Sequence, residues 1–178
     1  VGGMAAIIGL SEEKLKECLV EARKYGVVEI SNYNTPKQLV IGGEAKAVEV
    51  AIELCKEAGA RRAVPLKVSG PFHTPLLEEA SVNLAKELNN IEFQDMKIPV
   101  LTNVTAEVIA DSSQIKDLLI KQVKSSVKWT ETIRNMIDMG IDTFIEIGPS
   151  RTLSGFLRDI DEFELIDGVA DAIKKINN

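Results

Sequence analysis

Apolar and polar positions along this chain change period in a repeating order. The run from Met4 to Gly9 is almost wholly apolar, Ser11 ends it, and Leu15, Cys18, Leu19 and Ala22 follow at i, i+3, i+4 and i+7 before Gly26. That spacing lines one face of a helix, with Ser11 suited to cap its start and Gly26 to close its end. The same order returns where Q-L-V-I-G-G leads into Val48, Ala51, Ile52 and Cys55, closed by Gly59. Two short apolar runs, V-V-E-I and A-V-P-L-K-V, follow the two helices and read as strands. The pattern is β-α-β twice over. On one sheet this makes the split β-α-β, ferredoxin-like arrangement, with both helices on one face of an antiparallel sheet. Residues 3–68 are expected to form that small subdomain. The link between its halves, S-N-Y-N-T-P-K-Q, is rich in turn formers and reads chiefly as turn; its amides, Asn32, Asn34 and Gln38, could instead contact a ligand.

Past Val68 the order becomes helix, strand, helix, strand, helix, strand, helix, an alternation that predicts an α/β layer with parallel strands over residues 69–178. Thr74 can cap and Pro75 suits the first helical position of P-L-L-E-E-A-S-V-N-L-A-K-E-L, whose Glu78 and Glu79 lie near the positive end. I-P-V-L-T-N-V and T-F-I-E-I-G-P read as strands. Between them a helical stretch from about Ser113 should break near Ser125 and restart near Thr130. L-S-G-F-L-R-D, F-E-L-I-D-G-V and A-D-A-I-K-K-I supply the last elements.

Composition narrows the function classes. With 178 residues, 45% of them apolar, the chain can bury a core, and no window approaches the roughly 18 unbroken apolar residues of a membrane span. A net charge of −6 offers no source for the phosphate attraction behind nucleic-acid binding. Cys18 and Cys55 fall at apolar helical positions without paired ligand spacing, so they read as reduced core residues in a cytoplasmic setting. No leader of charged and apolar residues stands at the start, which reads V-G-G-M, and the chain is expected to be a piece of something longer.

Few residues could carry chemistry. No G-x-S-x-G elbow, phosphate-binding loop, G-x-G-x-x-G or metal-ligand cluster occurs, so neither a nucleophile nor a metal site can be assigned in this chain. His73, the single histidine, sits in V-S-G-P-F-H-T-P, between Pro71 and Pro75. It can take and return a proton near neutrality, or it can be a helix-preceding histidine satisfied by local backbone. Gln122 is the second candidate. It occupies the i+7 position of the apolar face marked by Ile115, Leu118 and Leu119, where it either meets a partner or ends a frayed turn. The corner E-I-G-P-S-R-T-L brings Ser150 to a helix start, which suits an anion or is merely structural.

Five ordered segments together resemble malonyl-CoA:acyl carrier protein transacylases and the acyltransferase domains of polyketide synthases. They are G-G-M-A-A-I-I-G-L, I-S-N-Y-N-T-P-K-Q-L-V-I-G-G, R-R-A-V-P-L-K-V-S-G-P-F-H-T-P-L-L, Q-V-K-S-S-V-K-W-T-E-T-I and F-I-E-I-G-P-S-R-T-L-S-G. The resemblance implies an acyl-serine mechanism with His73 as base, the main-chain carbonyl of Gln122 fixing its tautomer, and Phe72 limiting the acyl group to malonyl-like size. Asn32 and Asn34 would then lie near the site entrance. Malonyl-CoA and the phosphopantetheine thiol of acyl carrier protein would be the substrates in fatty acid biosynthesis, with no permanently bound cofactor. The family's serine elbow, oxyanion glutamine and carboxylate-pairing arginine have no match here. The chain therefore looks like a C-terminal part, the small subdomain plus the last portion of an α/β-hydrolase-like large one, inactive alone and expected to self-associate or pair with the missing part. A rival reading is a non-catalytic module binding carrier protein or a small ligand, for which Arg61, Arg62 and Lys67 offer a small basic patch. Regulatory amino-acid binding by the ferredoxin-like half is a third, resting on fold analogy alone.

Overall fold

In a computed structural model of the chain, residues 2–160 and 164–166 are described. Strand β1 (Gly2–Ile8) leads into helix α1 (Glu12–Ala22), then β2 (Val28–Thr35), β3 (Gln38–Glu44), α2 (Ala45–Glu57) and β4 (Arg62–Pro65). The four strands form one antiparallel sheet in the order β2-β3-β1-β4. Ser11 caps α1 by accepting from the Lys14 amide, as its place in the sequence predicts. Leu15, Cys18, Leu19 and Ala22 are buried, and so are Val48, Ala51, Ile52 and Cys55 of α2. With Ala5, Ile7, Val28, Ile30, Leu39 and Ile41 these make one continuous core between the helices and one face of the sheet. Burial pushes the Cys55 thiol up to about 12, with Cys18 beside it adding to the shift.

Strand pleating turns alternate residues away from the helices. Gly2, Met4 and Ala6 of β1 and Val40 and Gly42 of β3 therefore share the opposite face, where Met4 pairs with Gly42 and Ala6 with Val40. The loop 71–74 packs on that face, with Pro71 against Gly2 and Thr74 against Gly42. Helices α3 (Glu78–Leu88), α4 (Ile115–Gln122), α5 (Trp129–Asp138) and α6 (Thr152–Ile160) follow, with β5 (Thr143–Ile145) parallel to β6 (Glu164–Ile166). The break between α4 and α5 falls where the pattern loses its period. Residues 125–128 become an extended link that joins the edge of β2: the Val127 amide donates to Ser31 O, and the Tyr33 amide to Val127 O.

Three local expectations are corrected. S-N-Y-N-T-P-K-Q is not a loop, because β2 runs through Thr35 and only Pro36 and Lys37 turn. I-P-V-L-T-N-V is not a sheet strand. Its backbone folds back on residues 107–109 through Ile109 N–H to Val100 O and Thr102 N–H to Glu107 O, leaving Ile98 71% exposed, since no strand among the described residues lies alongside. Thr74 does sit at the N-cap with Pro75 in the first helical position, but the turn they open is a single 3-10 turn before α3 and the Thr74 hydroxyl donates to Pro71 O at 2.6 Å instead of accepting from a helix amide. The expected helix A-D-A-I-K-K-I lies outside the described residues.

Candidate active site

The loop Pro71–Thr74 rests directly on the glycines of the sheet. A side chain at Gly2 would come within 2.5 Å of the Pro71 ring. One at Gly42 would meet Thr74 Cγ2 at 2.9 Å and Phe72 O at 3.4 Å. Such close approach is a recurring use of glycine inside a strand. Thr74 is fully buried, and its bond to Pro71 O ties the loop across its own base.

On this seat His73 takes φ = 60°, a left-handed conformation that disfavours side chains by about 1–2 kcal/mol. The strain is offset by what the conformation achieves. His73 Nδ1 lies 2.9 Å from Gln122 O. A carbonyl only accepts, so Nδ1 carries the proton and Nε2 of the neutral ring keeps its lone pair. Gln122 ends α4, where carbonyls lack intrahelical partners. A neighbouring terminal carbonyl, that of Ile120, accepts from the buried Ser81 hydroxyl at 3.0 Å. Lys124, just beyond the helix, pairs with Glu78 at 2.5 Å. These contacts hold the end of α4 against the start of α3. The Gln122 side chain, which the apolar pattern singles out, makes no hydrogen bond among the described residues; its main chain is what meets His73.

His73 borders a cavity of 430 Å³ lined also by Met4, Val40, Phe72, Trp129 and the two asparagines. Register explains how the asparagines reach it. Val28 and Ile30 point to the helix-side core, and strict alternation would send Asn32 and Asn34 the same way. A bulge between Ile30 and Asn32 shifts the phase, so Asn32 pairs with Val40 on the cavity face while Tyr33 pairs with Leu39 against the core. A second irregularity between Tyr33 and Thr35 leaves Asn34 without a partner in the register. Asn32 Oδ1 accepts from the Ser31 hydroxyl at 2.9 Å. Asn34 is 9% exposed, and its carboxamide has no hydrogen bond among the described residues. Phe72, 43% exposed, flanks His73 at the rim.

Sequence reasoning passed over Trp129 as a site residue. Its indole Nε1 is buried with no partner among the described residues. It also passed over Gly42, for which the doubled glycine inside a strand is the available signal. A larger cavity, 810 Å³, lies between the start of α1 and α5, but none of the predicted site residues lines it. The corner before α6 takes its structural form: Glu146 accepts from the Ser154 hydroxyl at 2.7 Å and from the amides of Ser154 and Leu153, so the helix start already has its anion. The Ser154 hydroxyl first, then these amides, hold the Glu146 carboxyl below its ordinary value. Among the described residues no cluster of histidine, cysteine, aspartate and glutamate could hold a metal ion, and no helix is long and apolar enough to cross a membrane.

An imidazole oriented through one nitrogen, its other nitrogen without a partner among the described residues and a largely apolar cavity beside it, has the geometry to take up and return a proton. Residues 1–162 match the acyl transferase domain, and the chain belongs to this family. Within it the similarity is to malonyl CoA-acyl carrier protein transacylases. The Bacillus subtilis (strain 168) protein of that name is 44% identical over 161 residues, covering 90% of this chain and 51% of the relative. The solved transacylase of Clostridium perfringens matches with a TM-score of 0.92 and 39% identity, over 99% of this chain and 57% of that one. A malonyl-transacylase solved in complex with a type II PKS acyl-carrier protein matches with a TM-score of 0.93 and 37% identity, over 99% and 59%. The chain thus spans about half the length of the curated relatives it matches.

Proposed function

We propose that this chain supplies the base and part of the substrate channel of a transferase that moves a malonyl group from coenzyme A to the phosphopantetheine thiol of acyl carrier protein. The observation that carries the reading is His73, held at φ = 60° with Nδ1 on the Gln122 carbonyl and bordering the cavity. A serine outside the 178 residues is the nucleophile. His73 Nε2 takes its proton as the hydroxyl oxygen attacks the thioester carbonyl, and gives that proton to the departing thiolate. The carrier's thiol then attacks the acyl-serine, His73 takes the thiol proton, and the serine leaves with it. Two steps replace one, and acid-base help of this kind contributes about 10²–10⁴-fold. Phe72 narrows the space for a branched acyl group, and Asn32 and Asn34 contact the substrate. No cofactor is permanently bound, and the setting is cytoplasmic.

On this reading residues 3–68 are a ferredoxin-like subdomain, and residues 69–178 are the closing portion of an α/β-hydrolase-like one. Ile98 and Ile147, 71% and 81% exposed, support a surface completed by the serine-bearing polypeptide or by self-association. A monodisperse, stable monomer by light scattering would contradict that pairing. Incubated with radiolabelled malonyl-CoA, this chain should form no stable acyl-protein; a labelled serine in it would refute the scheme. In a form that carries the serine, His73→Ala should slow transfer by about 10²–10⁴-fold, whereas near-normal turnover would remove His73 from the chemistry.

A further inference from the structure

We propose that the larger cavity, between the start of α1 and α5, is a second ligand site, and that it takes an α-amino acid with a large apolar side chain. The site lies back to back with the cavity beside His73. β2 and the link after α4 run parallel, joined by Tyr33 N–H to Val127 O and Val127 N–H to Ser31 O, and their side chains alternate between the two spaces. Asn32 and Asn34, with Val127 and Trp129, line the cavity beside His73. Tyr33 and Thr35, with Lys128 and Thr130, line the larger one. A single layer of backbone is thus the wall common to both, and a ligand that presses on one side of it is felt on the other.

Charge on the wall selects the ligand class. Lys128 pairs with Glu131 at 3.2 Å, and Glu12 with Lys16 at 2.6 Å. Arg134 and Asp138 remain: both line the cavity from α5, and they form no ion pair with each other or with any other described residue. A free anion is a poor match, because Glu12, Glu13, Glu131 and Asp138 outnumber Lys128 and Arg134, and the start of α1 already carries two carboxylates. A simple cation would meet the Arg134 guanidinium. A ligand with both charges on one carbon suits the pair: its carboxylate can take two parallel bonds from Arg134, and Asp138, four residues on and so adjacent on the helix surface, accepts from its ammonium. Pro36, Leu39 and the Tyr33 ring offer apolar contact to the side chain. Burial raises the Tyr33 phenol above its ordinary value, so its hydroxyl, which has no hydrogen bond among the described residues, stays a donor. At 810 Å³ the space falls within the roughly 300–1,000 Å³ of small-molecule sites.

L-phenylalanine, titrated into the chain by calorimetry, should bind saturably. Its N-acetyl amide keeps the side chain and loses both charges, and should bind about three- to thirtyfold more weakly, the weight of two exposed charge contacts. Arg134→Gln and Asp138→Asn should each weaken L-phenylalanine about two- to fivefold and leave the uncharged amide as it was. Both residues are exposed and outside any ion pair, so both variants should fold. The dipeptide of phenylalanine, whose charges stand further apart, should bind less well than the free amino acid. Trp129 is the chain's single tryptophan and faces the other side of the wall. Phenylalanine does not absorb where tryptophan is excited, so the indole emission should change in step with the calorimetric isotherm. No saturable heat, equal binding of the uncharged amide, affinities that neither variant moves, or a tighter dipeptide would each overturn the site. A complete isotherm with unaltered Trp129 emission would overturn the common wall. The readout is equilibrium binding away from His73, so it stands or falls separately from acyl transfer.

Discussion

Replacing Gly42 by alanine should both destabilise the fold and displace His73, although no atom of Gly42 touches the imidazole. The added methyl would lie 2.9 Å from Thr74 Cγ2, with Met4 Cγ and Phe72 O each at 3.4 Å. Carbon atoms settle at about 3.5–4.0 Å, so the Thr74 contact must open by roughly 0.6–1 Å. Thr74 cannot swing away freely, because it is fully buried and its hydroxyl holds Pro71 O at 2.6 Å. The strain passes to the loop. Overpacking of this kind costs about 1–3 kcal/mol, against which alanine regains about 0.5–1 kcal/mol of backbone entropy relative to glycine. The net loss is about 1–2 kcal/mol, measurable as a lower urea midpoint at unchanged slope. Moved by the same 0.6–1 Å, the 2.9 Å bond from His73 Nδ1 to Gln122 O stretches to the limit of hydrogen bonding. The Nδ1 proton in an NMR spectrum should then broaden or shift. Thr74→Ser deletes the opposing methyl and keeps the hydroxyl. It should cost about 1 kcal/mol alone and remove most of the Gly42→Ala penalty in the double variant, a coupling of about 1–2 kcal/mol. Additive losses, or an unaltered imidazole signal in Gly42→Ala, would refute the seat.

Two further substitutions test the strain and charge of the site's frame. At φ = 60° alanine keeps the left-handed penalty and glycine does not, so His73→Gly should be more stable than His73→Ala by about 1 kcal/mol, after allowing about 0.4–1 kcal/mol for glycine's freer unfolded chain. Chemical denaturation decides it, and the reverse order would mean that the loop relaxes once the imidazole is gone. Glu146 has its folded pKa lowered by Ser154 and the α6 amides, so its contribution is full above the unfolded carboxylate value and fades as pH falls through the folded one. Protection against amide exchange across α6, taken relative to the intrinsic exchange rate at each pH, should therefore fall on acidification in the unaltered chain and lose that dependence in Glu146→Gln; an unchanged pH profile of protection in the variant would show that the carboxylate does not anchor the helix.

Periodicity made the first half of the chain legible because its helices bury one face and its strands bury the other side of the same core. Leu15 to Ala22 and Val48 to Cys55 needed only their spacing. It failed at β2 for a definable reason. Asn32 and Asn34 continue the even-numbered phase of Val28 and Ile30, and two carboxamides cannot be read as core, so the segment looks like turn. A bulge resolves the conflict by changing the face in mid-strand. Bulges leave no mark in composition, and only pairing with Val40 and Leu39 exposes this one. I-P-V-L-T-N-V failed in the opposite sense. Its residues suit a strand, but strand formation is a property of a pair, and the described chain supplies only a tight fold-back.

The site itself is assembled from backbone as much as from side chains, and this sets the limit of what residue types can reveal. His73 was visible as a lone histidine between prolines, but its role depends on a carbonyl that every residue possesses. What singles out Gln122 is position: it is where α4 stops, where a terminal carbonyl lacks an internal donor, and where the Ser81 hydroxyl and Glu78 carboxylate fix the neighbouring turn. From there the chain needs only a few residues to reach β2, and Ser126 Oγ donates to Ile30 O at 2.6 Å beside the bulge that turns the asparagines. One short segment thus anchors the imidazole at its beginning and abuts the asparagine-bearing strand at its end. A shift of α4 along its axis would move the imidazole and the cavity wall together, so substitutions that loosen Ser81 or Lys124 should disturb the His73–Gln122 hydrogen bond and the Trp129 environment in parallel, read as the Nδ1 proton signal and the indole fluorescence. An effect on one without the other would separate the two halves of the site.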